Sequence, residues 1–139
     1  MSEKENNAAE NVAMLKQKAV EEPIASLLNM KLVELSPGYA KIEMKLIPEH
    51  VNFNGFIFGG IIMSLADEAF AYGTNSVITP NVATQFNMHF IAGAKVGDTL
   101  TAECKVVKSG RRVCISEMLV TDQEGKLIAK ATGTTIPLI

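Results

Sequence analysis

Residues that bind metals or carry redox chemistry are scarce in this 139-residue chain, with two cysteines, Cys104 and Cys114, and two histidines, His50 and His89. No Cys-x-x-Cys pair occurs, so a structural metal site has no ligand set to rest on. The cysteines fall in strand-like sequence and no secretory signal precedes them. They are therefore expected to be reduced core thiols of a cytoplasmic protein. A charge surplus is missing too. A net charge of -2 gives nucleic acid or an anionic membrane nothing to bind. No apolar run reaches the ~20 residues of a membrane span. The best candidate, Gly55 to Ala66, has small residues at Gly55 and Gly59 but is stopped by Asp67 and Glu68. There is no G-x-G-x-x-G and no Walker lysine motif, so no nucleotide fingerprint. The absence of a G-x-S-x-G elbow counts against a serine hydrolase.

What is present is an ordinary globular composition, 47% hydrophobic and 20% charged, at a length that suits one domain. Ala8, Val12, Leu15 and Ala19 recur at helical spacing, which predicts a surface helix over 8–22 that stops before Pro23. Pro23 can open a short second helix through Leu28. A strand follows over Lys31 to Ser36, ended by Pro37–Gly38. Ala40, Ile42, Met44 and Leu46 then alternate with Tyr39, Lys41, Glu43 and Lys45, the period of a half-buried strand. Gly59 to about Ser76 reads as one long helix, apolar almost all round and so expected to be buried on every face. After Pro80, Val82, Thr84, Phe86, Met88 and Phe90 alternate with Ala83, Gln85, Asn87 and His89. Strands over about 99–107, 112–121 and 126–136 complete the pattern, with hairpin turns at KSGR and DQEG. Ala129, Ala131 and Gly133 share one strand face and suit close packing on a helix. The fold class is therefore α+β, one antiparallel sheet wrapped around a central helix. A single sheet cannot cover a helix all round, so the sheet must curl, or a second subunit must help.

The stretch HVNFNGFIFGGIIMSLADEAFAYGTNS, His50 to Ser76, sets an acid, Asp67, in the most apolar part of the chain. A buried carboxylate without a partner is costly, so Asp67 needs a hydrogen bond, a proton or a chemical role. Gly59 and Gly60 open the helix with N–H groups that have no intrahelical acceptor, at the positive end of the helix dipole. They either permit a tight turn or act as donors to an oxyanion. Asp67 lies eight residues beyond Gly59, roughly 12 Å along the axis. A general base and an oxyanion donor must both lie ~3 Å from one reacting centre, so one chain cannot supply both. Two antiparallel helices from two copies can, with two equivalent sites per dimer. Otherwise Asp67 is an acid satisfied by a nearby donor, or is exposed beside Glu68. Asn52 and Asn54 either orient a substrate or brace their loop. His50 is an acid–base group or a hydrogen-bonding residue. His89 belongs to a polar face with Gln85 and Asn87. Thr84, on the apolar face of its strand, has a hydroxyl to offer a pocket.

These residues resemble the hot-dog-fold acyl-CoA thioesterases of the phenylacetate-degradation type. His50, Asn52, Gly55, Gly59, Gly60, Leu65, Ala66 and Asp67 fall on that family's motif in register. LNMKLVELSPGYAKIEMKL and VATQFNMHFIAGAKVGDTLTAEC resemble its strands, and the likeness covers roughly residues 24–136. It implies a hot-dog domain over 23–139, an antiparallel curved sheet around one long helix, and it leaves 1–22 outside the likeness as an N-terminal helical extension. It also implies a catalytic role for Asp67 as general base or nucleophile. The Gly59 amide, with Gly60 beside it, would polarise the thioester carbonyl, Asn52 would position thioester or water, and Thr84 would support the water. The family commonly has histidine where this chain has Phe58, which makes the site drier.

The resemblance implies acyl-CoA as substrate, no metal or other cofactor, and a homodimer or dimer of dimers. Arg111 and Arg112, with Lys105 and Lys108, would meet the phosphates of coenzyme A or are simply solvated. His50 would touch substrate. The rival readings are a non-catalytic acyl-CoA sensor, an enoyl-CoA hydratase or dehydratase, and a structural dimerisation domain.

Overall fold

A computed structural model of the chain describes residues 3–138. Helix α1 (Glu3–Val20) and the short α2 (Pro23–Leu28) lead into strands β1 (Met30–Ser36) and β2 (Tyr39–Lys45). A loop then reaches α3 (Gly59–Asn75), followed by β3 (Asn81–Phe90), β4 (Thr99–Ser109), β5 (Cys114–Thr121) and β6 (Leu127–Pro137). The six strands form one sheet in the order β1-β2-β4-β5-β6-β3, every neighbouring pair antiparallel. Strands β1 and β3 are its edges. Among the described residues no helix is long and apolar enough to cross a membrane.

Period-two alternation dictates which face each strand buries. Ala40, Ile42 and Met44 of β2 are buried together with Leu46, while Lys45 is exposed. Leu100, Ala102 and Cys104 of β4 and Met118 and Val120 of β5 continue that inner surface. α3 lies on it through Ile62, Leu65, Ala66, Ala69 and Phe70. α3 lies nearest to β2 and β4, and it meets the predicted small-residue face of β6 through the Phe70 ring. A Cβ at Gly133 would stand 2.5 Å from the Phe70 ring, and one at Gly73 would stand 2.7 Å from Cys104 Sγ. Both cysteines are free and buried. Burial pushes the Cys104 thiol up to about 12, which leaves it inert. The stripe of α1 that carries Val12, Leu15 and Ala19 packs against the same core.

Two expectations change. α3 is not buried on every face, because Met63, Asp67 and Ala71 form an exposed stripe at four-residue spacing. The sheet covers one side of the helix only. Nor does Thr84 sit on a continuous apolar face. The register of β3 against β6 shifts between Ala83 and Gln85, so Thr84 is the extra residue of a bulge. It is exposed, and its hydroxyl donates to the Thr134 carbonyl at 3.4 Å. Beyond the bulge Phe86 turns inward, its ring 5.9 Å from that of Phe70.

The contact at Gly133 can be tested directly. Gly133→Ala forces a methyl group into the buried Phe70 ring and should cost ~1–3 kcal/mol in urea denaturation. Gly93→Ala, at a position with nothing within 4 Å of the new methyl, should leave the midpoint almost unchanged. Equal midpoints for the two variants would contradict the close packing of α3 on β6.

Candidate active site

The loop that feeds α3 is braced from within. Val51 and Ile57 form an antiparallel bridge. Between them the Asn52 side-chain carbonyl accepts the N–H groups of Asn54 at 3.0 Å and Phe56 at 3.2 Å. This Asx-type geometry is what asparagine provides in a turn, and it leaves the Asn52 NH2 without a partner among the described residues. His50 is only 5% exposed. Its Nδ1 accepts the Ile47 N–H at 3.2 Å, and its carbonyl accepts the Phe58 N–H at 2.8 Å. His50 thus clamps both ends of the loop, in line with the hydrogen-bonding reading of the sequence.

The first turn of α3 is overlaid by aromatic rings. Phe58 is the N-cap residue, with extended backbone, and the first hydrogen bond of the turn runs from the Ile61 N–H to its carbonyl at 2.9 Å. The N–H groups of Gly59 and Gly60 have no acceptor among the described residues. A side chain at Gly59 would meet the Phe90 ring at 3.3 Å, and one at Gly60 would overlap the Phe58 ring. The paired glycines therefore admit two rings beside two free amides. Both rings are half-exposed, Phe58 at 56% and Phe90 at 53%. From Gly59 an apolar cleft of about 410 Å³ runs between the helix start, Phe90 and the chain after it.

Asp67 and Glu68 change the places that the apolar context suggested. Glu68 is the buried acid, and Asp67 lies on the bare stripe of α3, without a hydrogen bond or ion pair to any described residue. The surrounding protein still removes enough water from Asp67 to raise its carboxyl above the ordinary range. Glu68 points toward α2. Its carboxyl is raised from 4.5 to about 9, first by burial, then by a hydrogen bond with the Glu22 side chain and by the charges of Glu22 and Asp67. Near neutral pH Glu68 is therefore protonated and donates to Glu22, which also accepts the Tyr72 hydroxyl at 2.8 Å. Burial and the same carboxylate raise the Tyr72 hydroxyl. Glu68 and Tyr72 are four residues apart and so share a helix face; Glu22 lies too far off in sequence for any spacing rule to place it with them.

Within one chain the predicted residues do not all meet. Gly59, Gly60, Phe58, Asn52 and His50 gather at the start of α3. Asp67 is two turns further along. Thr84 sits on edge strand β3, and Arg111 and Arg112 are exposed on the β4–β5 hairpin. That hairpin lies at the opposite end of β3 from Phe90, where the Asn81 amide reaches Cys114 Sγ at 3.5 Å. Phe90, which the sequence reading left in its strand, belongs with the helix start. A groove of about 670 Å³ lies between α1 and edge strand β1. It contains neither the free amides nor Asp67. Among the described residues no three His, Cys, Asp or Glu side chains gather as a metal site would require.

Residues 54–129 match the family model of the thioesterase superfamily. A putative esterase of Archaeoglobus fulgidus is 40% identical over 108 residues, 78% of this chain and 70% of that protein. The acyl-coenzyme A thioesterase PaaI of Escherichia coli is 30% identical over 109 residues, 78% of each chain. The solved structure of E. coli PaaI superposes with a TM-score of 0.86 at 26% identity, covering 96% of this chain and 95% of that one. The smu.793 protein of Streptococcus mutans, solved bound to acetyl CoA, superposes at 0.75 with 28% identity, over 78% of this chain and 87% of that one. The architecture described above is the hot-dog fold.

The buried acid gives a pH signature. The folded chain keeps the Glu68 proton up to about pH 9, whereas the unfolded chain releases it near 4.5. Between those values only the native state holds the proton, so Glu68 makes stability fall as pH rises, and the fall ends above about pH 9. Glu68→Gln should flatten this slope, and its advantage over the wild type should widen from pH 5 to pH 9 in urea melts. A constant difference across that range would place the proton elsewhere.

Proposed function

The chain belongs to the thioesterase superfamily, and from that premise we propose that it hydrolyses acyl-CoA in a homodimer whose sites join Gly59 of one copy to Asp67 of the other. The observation that carries this reading is the bare stripe of α3. Asp67 lies there without a partner, on the same helix as the free amides yet too far along it to share a substrate with them. Edge strand β3 supports the same assembly. Its outer edge is unpaired, and it exposes Val82, Gln85, Asn87 and Phe90. Two β3 edges side by side and antiparallel would set the two α3 helices antiparallel across a twofold axis. The β4–β5 hairpin of one copy would then approach the helix start of the other, where Arg111 and Arg112 suit coenzyme A phosphates.

In this site the thioester carbonyl oxygen accepts the Gly59 N–H, with Gly60 beside it, at the positive end of α3. Asp67 of the second copy takes a proton from water as the water oxygen attacks the carbonyl carbon. The tetrahedral oxyanion collapses, the C–S bond breaks, and the sulfur leaves with the electron pair and is protonated as free CoA. A thiolate is a good leaving group, so no strong general acid is required. The raised Asp67 carboxyl strengthens it as a base, and activity should fall as pH drops through that raised value. In this reading the free Asn52 NH2 holds the thioester or the water, and Thr84, on the bulged strand, supports that water.

Two variants separate the pooled halves. Asp67→Asn should lower turnover at least ~100-fold. Gly59→Pro deletes one N–H at a helix position that tolerates proline and should cost ~100- to 1000-fold. Mixing the two after subunit exchange should restore roughly a quarter of wild-type CoA release, one competent site per mixed dimer. No recovery despite proven exchange would place both groups in one chain's site. Acyl-CoA binding without CoA release from the wild type would favour a sensor.

A further inference from the structure

We propose that the apolar cleft at Gly59 receives the acyl arm of the substrate and that Phe90 is the residue that sets which acyl groups fit. The assignment rests on the thioesterase reading above and names its substrate class. Two arms leave the carbonyl carbon of a CoA thioester. The pantetheine arm carries amides and a hydroxyl that need hydrogen-bond partners, whereas a hydrocarbon acyl arm needs none. The cleft begins at Gly59, whose amide would hold the carbonyl. Its walls are Phe56, Ile57, Ile62, Phe90 and Ile91, with alanine and glycine beyond, and no charged or hydrogen-bonding side chain lines it. The N–H groups of Ile91 and Ala92 are already bonded to the Ile128 carbonyl, at 2.8 and 3.2 Å. Such a wall accepts an alkyl or aryl chain and offers the carboxylate of a dicarboxylic acyl group no donor side chain among its lining residues.

Phe90 stands at the mouth of this cleft, its half-exposed ring seated against Gly59 on one side. Its ring packs against Gly59 where a Cβ would stand 3.3 Å away, so it borders both the amide and the cleft. Phe58 holds the corresponding place over Gly60 but is not among the cleft walls. The acyl chain therefore passes Phe90 within one residue of the reacting carbonyl, and a change of ring volume there changes the room for the first carbons. One methylene of misfit in an apolar pocket is worth roughly 10- to 200-fold in discrimination.

The test is kcat/KM for acetyl-, hexanoyl-, decanoyl-, phenylacetyl- and succinyl-CoA with the wild type, Phe90→Leu and Phe90→Trp. Succinyl-CoA should be the poorest substrate of the wild type. Phe90→Leu should move the decanoyl-to-acetyl ratio at least ~10-fold upward and Phe90→Trp should move it downward. Circular dichroism confirms that each variant is folded; should one fail, the other still carries a signed prediction. Rates that change by one common factor for all acyl groups, or a wild type that prefers succinyl-CoA, overturn the assignment while leaving the thioesterase reading intact. No CoA release from any substrate overturns both.

Discussion

The ring of Phe70 lies over Gly133 so closely that a methyl group there would overlap it, and one turn further on Gly73 takes Cys104 in the same way. These contacts seat α3 directly on β4 and, through the Phe70 ring, on β6. A helix held that close presents one side to the sheet. The opposite side is fixed by the same act. Met63, Asp67 and Ala71 point away because Leu65, Ala66, Ala69 and Phe70 point in. The first turn is fixed as well, with its two amides set between Phe90 and Phe58.

Neighbouring acids on this helix meet different physics. Successive side chains are about 100° apart around the axis, so Asp67 and Glu68 cannot share an environment. Glu68 turns under the chain that links α1 to α2 and keeps a proton, which lets two carboxyl groups and the Tyr72 hydroxyl share one buried corner. That corner ties α2 to α3. Asp67 keeps an accessible carboxyl with only moderate loss of solvent, the condition a general base needs. A neutral Glu68 also spares Asp67 a second negative charge one residue away.

Much of the fold was legible because burial leaves a period. The alternation of β2 and the small residues at Ala129, Ala131 and Gly133 appear in the sequence as they do in space. The motif from His50 to Asp67 was legible because its members lie within one loop and one helix. Thr84 was misplaced because a bulge is a property of two strands, and nothing in β3 alone records how many residues of β6 oppose it. Phe90 escapes a local reading because it meets Gly59 only through the fold, with 30 positions of helix and strand between them. Glu68 was misjudged because an apolar run does not say which of two adjacent acids faces out.

Local pattern in the chain is enough to establish the α+β order of elements, the antiparallel sheet and the distance that keeps Asp67 from Gly59 on one helix. Those follow from local periods and from the fixed rise of an α-helix, which need no knowledge of neighbours. That Asp67 is bare, that Glu68 has its carboxyl raised, that β3 bulges at Thr84 and that Phe90 borders the first turn of α3 emerge only from the folded chain. Each of these depends on what packs against a residue from elsewhere in the chain. Burial, proton affinity and pocket shape are set by such neighbours, and no local pattern encodes them.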